Sequence, residues 1–228
     1  MIDLERILNH YEQKHFHLTK PRQVKSGKEA TVFVVFLDEK PLALKVYIDP
    51  EIRAFQNNKV YVEGKYFRSP SEQKAVLKKN KAGKRMLHSG WVRREFYLLK
   101  KLHELGTNVP QVYEWTPESI LMEFIGDEEI ASRLIDVELT KKQAEEAFEA
   151  VLKAVKLMLE CGVIHSDLSA YNVLWWKDKP WIIDLPQAVD IRQNPNKAEF
   201  LKRDLDNLID YFSKYMEIDR SKIYQKFS

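Results

Sequence analysis

The sequence predicts an α+β protein of two lobes, with an antiparallel sheet in the first lobe and mostly helices in the second. Three observations support this prediction. Apolar and β-branched runs separated by turn residues follow one another over residues 22–48. Apolar residues recur at helical spacing along much of residues 141–215. The length of 228 residues and the hydrophobic content of 44% are sufficient for a buried core in each lobe.

The first lobe is preceded by a short amphipathic helix. Apolar residues recur at helical spacing from Leu4 to Tyr11, and Pro21 should end this helix because proline cannot continue it. Three strand-like runs then predict an antiparallel meander over residues 22–25, 30–37 and 42–48. The predicted organisation is a helix over 1–20, a first lobe over 21–125 and a second lobe over 126–228.

A strongly basic segment follows the meander. Between Glu51 and Lys101 there are 14 Lys and Arg against 4 Glu, a local net charge of +10 in a chain whose net charge is +3. Residues 50–89 lack sustained periodicity, so we expect a flexible basic loop there. Such a segment can meet ATP, an acidic surface or nucleic acid, and a solvated loop explains it equally well.

The remaining elements are predicted by periodicity and by their end signals. A helix should begin at Gly90 and end at Gly106, and two strands should follow it. Thr140 and Gln143 have the spacing of a capping box and predict the start of a long helix. The later predicted elements are strands at 111–115 and 119–122 and helices at 141–161, 198–215 and 220–227.

The stretch from His165 to Asp184 carries the main chemical signal. Asp167 and Asn172 lie in a loop, two short apolar strands follow with a turn over residues 177–180 between them, and Asp184 closes the second strand. Phosphoryl transfer needs a group that orients the attacking hydroxyl and oxygen ligands that hold Mg²⁺ on the phosphates. Asp167 suits the first task, and Asn172 and Asp184 suit the second. The pattern matches a kinase catalytic loop followed by a metal-binding aspartate.

Lys45 is the one cation in the otherwise apolar strand over residues 42–46. Burying an ammonium group is costly unless an anion meets it, so the strand predicts an acidic partner. Glu95 lies one turn from Trp91 on the side of its helix that should face the sheet. We therefore predict a Lys45–Glu95 pair, with a surface position for Glu95 as the alternative.

Two further segments are candidates for nucleotide binding. The turn Ser26-Gly27-Lys28-Glu29-Ala30 contains small residues that let backbone amides approach an anion, although an ordinary hairpin turn has the same composition. Residues 123–126 leave the predicted sheet, and their backbone groups could pair with an adenine edge. The residues assigned to this hinge are Met122, Glu123 and Ile125.

Composition excludes several classes of protein. The single cysteine, Cys161, rules out an internal disulfide framework and a multi-cysteine zinc site. The first residues are charged and lack the apolar core of a signal peptide, and no stretch approaches transmembrane length. We expect a cytoplasmic enzyme with no membrane partner.

Taken in order, these motifs resemble the RIO family of atypical serine/threonine protein kinases. The resemblance covers residues 24–215, and the Ser-Gly-Lys-Glu-Ala turn together with the run that begins at Ile182 is specific to this family. The segments that carry it are Ser26–Ala30, Ala43–Tyr47, Met122–Gly126, His165–Asn172 and Ile182–Val189.

The resemblance implies a small bilobal protein-kinase-like fold without an activation loop or peptide-binding subdomains. It implies that Lys45 holds the nucleotide phosphates and that Glu95 positions Lys45. Asp167 would be the proton acceptor, with Asn172 and Asp184 as metal ligands. The implied cofactors are ATP and Mg²⁺, or Mn²⁺ in its place.

The resemblance also implies activities and partners. Family members phosphorylate themselves on serine, and some act as ATPases that pass through an aspartyl phosphate, here at Asp184. The implied partner is a precursor of the small ribosomal subunit or RNA, met through the basic segment over residues 51–101, and the protein substrate is unidentified. We expect neither the N-terminal winged-helix domain of one RIO branch nor a long basic C-terminal tail.

Two alternatives to a protein kinase stay open at this point. The first is a module that binds RNA or a protein and uses nucleotide only to set its shape. Intact Lys45, Asp167, Asn172 and Asp184 favour an enzyme, because a scaffold does not need them. The second is a small-molecule phosphotransferase of the aminoglycoside or choline kinase type, which shares the His-x-Asp-x4-Asn loop. Those enzymes usually have an aromatic and acidic run after the second aspartate, whereas residues 185–187 here are Leu-Pro-Gln.

Overall fold

The computed structural model of the chain describes residues 2–27, 29–48, 81–192 and 194–227, with the backbone alone for 81–87. Two compact units make up the chain. Among the described residues, the first unit comprises 2–27, 29–48, 81–100 and 110–130, and the second comprises 101–109, 131–192 and 194–227.

The first unit is built on a five-stranded antiparallel sheet whose strand order is β1-β2-β3-β5-β4. The strands are β1 (Thr19–Ser26), β2 (Ala30–Leu37), β3 (Lys40–Tyr47), β4 (Val112–Thr116) and β5 (Ser119–Glu123). Asp38 and Glu39 form the two-residue turn between β2 and β3, and both have positive φ (49° and 67°), which suits a tight hairpin. The predicted meander and the two later strands are confirmed.

Alternation along the strands gives the sheet two apolar faces. One face carries Phe33, Val35, Leu42, Leu44, Val46 and Leu121, and the other carries Val34, Ala43, Tyr47, Ile120 and Met122. Lys45 occurs between Leu44 and Val46 and alternates with them, so it shares the second face with Ala43 and Tyr47. The period of two therefore decides which helix Lys45 can meet.

Helix α1 (Leu4–Glu12) packs on the first face through Ile7 and Tyr11. The Tyr11 hydroxyl lies 3.0 Å from the Ser119 hydroxyl, which lies 2.8 Å from that of Thr116. Burial raises the pKa of Tyr11 above its usual range. The helix is shorter than the predicted 1–20 segment.

The proline that should have ended this helix lies inside a strand instead. Pro21 belongs to β1, a mostly exposed edge strand in which a residue without an N–H is tolerated. The chain has already left the helix at Glu12, and His15 adopts a positive φ of 67° in the connection. Pro21 therefore has no part in ending α1.

Helix α2 (Lys81–Glu104) lies on the second face, where Val92 and Phe96 are buried. It begins well before the predicted Gly90, so the expectation of a loop is wrong for residues 81–89. His88 is buried and stands four residues before Val92, which extends the inward-facing stripe past the glycine. The predicted loop over 50–80 lies outside the described residues. Gly106 has φ 78°, as expected after a helix end.

The second unit is mainly helical. Its elements are a 3-10 helix (Leu134–Asp136), α3 (Lys141–Glu160), β6 (Val163–Ile164), β7 (Val173–Trp176), β8 (Lys179–Ile182), β9 (Val189–Asp190), α4 (Lys197–Phe212) and α5 (Arg220–Lys226). The rings of Phe148 and Phe212 lie 5.1 Å apart and join α3 to α4. None of the helices in the described parts of the chain combines the length and hydropathy that crossing a membrane requires.

The capping box of α3 is present as predicted. The Thr140 side chain accepts from the Gln143 amide, and the Gln143 side chain accepts from the Thr140 amide at 3.0 Å. Gln143 Nε2 also donates to Asp178 Oδ1 at 2.8 Å, which fastens the β7–β8 hairpin to the start of α3. The same glutamine thus caps the helix and holds the hairpin.

The hairpin turn is shorter than predicted. Lys177 and Asp178 alone form it, with φ values of 50° and 55°, whereas Lys179 and Pro180 already pair with β7. Pro180 is tolerated there because β8 is one of only two strands in its sheet and so has a free edge. The prediction of a turn over 177–180 is corrected to these two residues.

Candidate active site

Lys45 and Glu95 form a buried ion pair in the first unit. Lys45 Nζ lies 2.8 Å from Glu95 Oε1, and the two side chains are 10% and 1% exposed. The Tyr47 hydroxyl donates to Glu95 Oε2, and Lys45 Nζ lies 5.2 Å from the centre of the Tyr47 ring. The predicted pair is confirmed. Tyr47 is a third member that the sequence reading missed.

Replacing Glu95 should show how strongly the pair depends on its carboxylate. We expect Glu95→Gln to lower the free energy of unfolding by about 3 kcal/mol, because it removes the negative charge beside a buried ammonium. Urea unfolding measures the change. Glu104→Gln on the exposed end of α2 is the matched control and should change stability by less than about 0.5 kcal/mol. Equal stability of both variants would contradict the assigned pair.

The turn after β1 is closed by its own hydrogen bonds. The Gly27 amide donates to the Ala30 carbonyl at 2.9 Å, and the Glu29 carbonyl accepts from the Ile48 amide at 2.9 Å. The Ser26 hydroxyl lies 3.5 Å from that of Thr31. The Gly27 amide is thus used within the turn and is not among those left for an anion. Lys28, which was assigned to the same candidate site, lies outside the described residues.

The candidate hinge continues from β5. Met122 is buried and pairs with Ala43 of β3, so it lies in the body of the sheet. The Glu123 amide donates to the Gln111 carbonyl at 2.7 Å, and the Glu123 carboxylate accepts from the Gln111 amide at 3.2 Å. Ile125 is buried just beyond the strand end. These contacts hold the hinge backbone firmly at the end of β5.

Asp167 and Asn172 are brought together in the second unit. Asn172 Nδ2 donates to the Asp167 carbonyl at 2.8 Å and to its carboxylate Oδ2 at 3.2 Å. Asp167 is exposed, and Asn172 is half-buried. The backbone amide of Asn172 also donates to the Ser169 carbonyl at 2.9 Å, so residues 167–172 form one closed turn. The loop presents a carboxylate to solvent while its backbone is tied down.

Asp204 binds the backbone of this loop, and the sequence analysis did not predict it. Its carboxylate accepts from the Ser166 amide at 2.8 Å and from the Leu168 amide at 2.9 Å, one on each side of Asp167. Burial raises the pKa of the Asp204 carboxyl, and His165, the two amides and Arg203 oppose that shift. Asp204 could have been found as a charged residue on the apolar stripe of α4, between Phe200 and Leu208.

Ser166 occupies a constrained position before Asp167. It is fully buried with φ 66°, and its hydroxyl donates to the Gln187 carbonyl at 2.7 Å. Arg203 of α4 donates to the Ser166 carbonyl. A non-glycine residue with positive φ is strained, and these contacts keep the backbone in that conformation. They join the loop that carries Asp167 to the segment that follows Asp184.

Asp184 follows a residue that is fastened on both sides. The Ile183 amide donates to the Asn172 carbonyl at 3.0 Å, and the Ile183 carbonyl lies 3.2 Å from Nε2 of the buried His165. Asp184 itself is half-buried and has φ 68°. The main chain therefore sets Asp184 next to the loop that carries Asp167 and Asn172.

The oxygen atoms of Asn172 and Asp184 fit a magnesium ion. Mg²⁺ prefers hard oxygen ligands and is usually held by one or two protein groups together with substrate phosphates. Donation by Asn172 Nδ2 to Asp167 leaves Oδ1 of the same amide for a cation. Within the described residues no group of three or more His, Cys, Asp or Glu is placed to hold a metal ion.

The antiparallel sheet with its buried Lys–Glu pair and the helical unit with its His-x-Asp-x4-Asn loop define a protein of the kinase-like fold class. Membership can be stated more narrowly. A family model described as the RIO domain matches residues 31–224. The chain belongs to the RIO family.

Curated relatives agree with this assignment. The serine/threonine-protein kinase RIO1 of Caenorhabditis elegans is 29% identical over 191 residues, which cover 83% of this chain and 36% of the relative. The RIO-type serine/threonine-protein kinase Rio1 of Haloferax volcanii is 30% identical over 208 residues, which cover 89% of this chain and 66% of the relative. The chain spans just over a third of the length of the animal RIO1 and RIO3 relatives, 36% and 38%.

A solved structure confirms the fold. The Rio2 kinase-ADP/Mg²⁺-phosphoaspartate complex from Chaetomium thermophilum matches this chain with a TM-score of 0.68 at 19% sequence identity. The match covers 98% of this chain and 65% of the other. The predicted α+β kinase-like fold is therefore correct.

Proposed function

We propose that the chain is an ATP- and Mg²⁺-dependent serine/threonine protein kinase of the RIO type. The observation that carries the proposal is the closed loop in which Asn172 Nδ2 lies 3.2 Å from the exposed Asp167 carboxylate. The relatives named serine/threonine-protein kinases support the assignment. Family membership alone gives the fold, and the loop adds groups suited to the chemistry.

The proposed transfer step uses Asp167 as the proton acceptor. The substrate hydroxyl donates its proton to the Asp167 carboxylate while its oxygen bonds to the γ-phosphorus. The bond from that phosphorus to the β–γ bridging oxygen breaks, and ADP leaves. The amide of Asn172 restricts the carboxylate, which lowers the cost of orienting it in the transition state.

The first unit supplies the proposed nucleotide contacts. Lys45 would bind the phosphates, and Glu95, 2.8 Å away, would position it. The turn that ends at Ala30 would cover the phosphates, and the hinge backbone would meet the adenine. The residues proposed to contact the nucleotide are Ser26, Lys28, Glu29, Ala30, Lys45, Glu95, Met122, Glu123 and Ile125. Gly27, whose amide is bonded to the Ala30 carbonyl, would shape the turn.

Magnesium is the proposed metal, with Asn172 and Asp184 as its protein ligands. Bound there, it would neutralise charge that develops on the phosphates during transfer. The neighbour in complex with ADP and Mg²⁺ supports this choice, whereas Mn²⁺ has no comparable support.

A second activity is favoured by the same neighbour, whose complex contains a phosphoaspartate. An Asp184 carboxylate oxygen would attack the γ-phosphorus and release ADP, and water would then hydrolyse the acyl phosphate. Asp184 is half-buried, and the backbone of Ile183 just before it is hydrogen-bonded to the Asn172 carbonyl, so the main chain that carries the Asp184 carboxylate is held in place. The chain would then act as an ATPase switch.

The proposed partners are protein hydroxyls, the chain itself included, and an anionic ribosomal precursor or RNA. The net charge of +10 between Glu51 and Lys101 supports an anionic partner. Lys100 and Lys101, at the described end of this segment, are exposed. The proposed setting is the cytoplasm, where ATP and Mg²⁺ are abundant.

Incubation with γ-labelled ATP and Mg²⁺ tests the proposed function. We expect acid-stable label on serine, and we expect Asp184→Asn to lose it because the metal ligand is gone. Phosphate release with a hydroxylamine-sensitive label that is absent from Asp184→Asn would instead identify the ATPase switch. The exposed Asp210→Asn on α4 is the matched control and should label like the unaltered protein.

The same assay separates the remaining alternatives. No label and no phosphate release in the presence of bound Mg-ATP would contradict an enzyme and favour the nucleotide-gated binding module. Transfer to an aminoglycoside or choline, with no label on protein, would contradict a protein kinase and favour the small-molecule phosphotransferase.

A further inference from the structure

The second unit contains a cavity that the proposed phosphoryl transfer does not use. Its volume is about 150 Å³, and it lies between the segment after α2, one face of α3 and strand β8. The floor is formed by buried residues, among them Thr107, Val151, Ala154 and Ile182. The exposed Gly106 and Lys153 stand at its mouth. All of these residues belong to one compact unit.

The size of the cavity follows from small residues at its mouth and on its helical wall. Ala150 and Ala154 are one turn apart on α3 and contribute only methyl groups to this wall, which Lys153 and Leu157 complete. A Cβ added at Gly106 would meet no atom within 4 Å, which shows open space beside that glycine. An apolar cavity of roughly 150 Å³ accepts a molecule the size of benzene. The space therefore fits a single six-membered ring.

The polar groups of the lining suggest what such a ring would carry. Lys153 is the one charged residue among the described lining residues, and no carboxylate accompanies it. The buried Thr107 hydroxyl makes no hydrogen bond within the part of the chain that the structure describes. An ammonium group at the mouth favours an anionic substituent, and a ring with a carboxylate places its apolar part inside and its charge outside.

We propose that this cavity binds a small aromatic carboxylic acid, with the ring between Ala150, Ala154 and Ile182 and the carboxylate at Lys153. The site is distinct from the residues assigned to ATP. It adjoins β8, because Pro180 and Ile182 of this strand belong to its lining. The Ile182 amide donates to the Asn108 carbonyl at 2.9 Å, and Asp184 follows two residues after Ile182.

Titration of the full chain with 4-fluorobenzoate, followed by ¹⁹F NMR, tests the proposal. We expect binding with a dissociation constant of about 1 mM or tighter, which is reasonable for a ligand of this size. Ala154→Leu should abolish it by filling the cavity. Lys153→Gln should weaken it by about threefold, the range of a partly exposed ion pair. Lys156→Gln, one turn along α3 and outside the lining, should leave it unchanged.

Fluorobenzene serves as the neutral probe. It should bind the unaltered protein about threefold more weakly than the acid, and this preference should disappear in Lys153→Gln. If Ala154→Leu does not fold, Ala150→Leu fills the same space from the half-buried rim. Undiminished fluorobenzoate binding in a folded leucine variant would overturn the proposal. So would equal fluorobenzoate affinity of Lys153→Gln and Lys156→Gln. A third contradicting result would be no binding to the unaltered protein at a fluorobenzoate concentration 10-fold above about 1 mM.

Discussion

Asp167→Asn abolishes transfer to serine while Mg-ATP binding persists. We expect the rate to fall by about 10²–10⁴-fold, the usual contribution of a proton acceptor, because an amide cannot take the hydroxyl proton. The Asn side-chain oxygen can still accept from Asn172 Nδ2, so the closed loop should survive. Single-turnover transfer from labelled ATP measures the rate.

Two controls accompany this prediction. Asp167 is exposed, so its replacement should change the free energy of unfolding by less than about 0.5 kcal/mol. Asp210→Asn alters another exposed aspartate of the same unit and should keep full transfer. Full phosphorylating activity in Asp167→Asn would show that the assigned role is wrong.

Asp204→Asn has the second large effect, on stability and transfer together. The Asp204 carboxylate accepts hydrogen bonds from two backbone amides, one on each side of Asp167. An asparagine at this position would point its own N–H groups at one of these two amides, which could then no longer donate to it. An unsatisfied buried donor costs about 1–3 kcal/mol, so we expect the free energy of unfolding to fall by that amount. Urea unfolding measures this change.

We expect Asp204 to act through Asp167, as a positioning residue. In conditions where the variant is folded, we expect kcat to fall while the KM for ATP stays near its original value, because the nucleotide contacts are proposed elsewhere. Asp210→Asn on the exposed side of α4 should change neither quantity. A stability loss with normal kcat would assign Asp204 to structure alone.

The first unit could be predicted largely because its strands have a clear apolar pattern bounded by turn residues. The alternation in β2 and β3 gives both the sheet and the side on which Lys45 lies, and a buried ammonium requires an acid such as Glu95. The contact of Tyr47 with Glu95 was not predicted, because an aromatic residue at the end of an apolar strand is typical of an ordinary core position. Its hydroxyl gains a role only when α2 brings Glu95 to it.

Element ends were harder to predict because tertiary packing overrides local signals. Pro21 reads as a helix stop, yet it lies in an edge strand where its missing N–H costs little. Gly90 reads as a helix start, yet α2 continues through it because His88 and Val92 are buried on one stripe. A proline or glycine in the sequence indicates only the local free-energy cost of continuing a helix. It does not indicate the tertiary packing that can offset this cost.

In the second unit, the residues of one sequence motif were predicted, and the support that comes from a later helix was not. Asp167, Asn172 and Asp184 occur within one motif whose spacing implies its chemistry. Asp204 comes from a helix further along the chain, and only the fold brings its carboxylate under the loop. A charged residue on an apolar helical stripe is the signal that should direct attention to such supports.

The Mg²⁺ dependence of ATP binding tests the proposed metal site at Asn172 and Asp184. Titration calorimetry with and without Mg²⁺ compares the unaltered protein with Asp184→Asn. We expect Mg²⁺ to strengthen ATP binding at least about tenfold in the unaltered protein, and we expect Asp184→Asn to lose this gain while still binding metal-free ATP. An Asp184→Asn variant that keeps the whole Mg²⁺-dependent gain would contradict the assigned metal site and the phosphoryl transfer built on it.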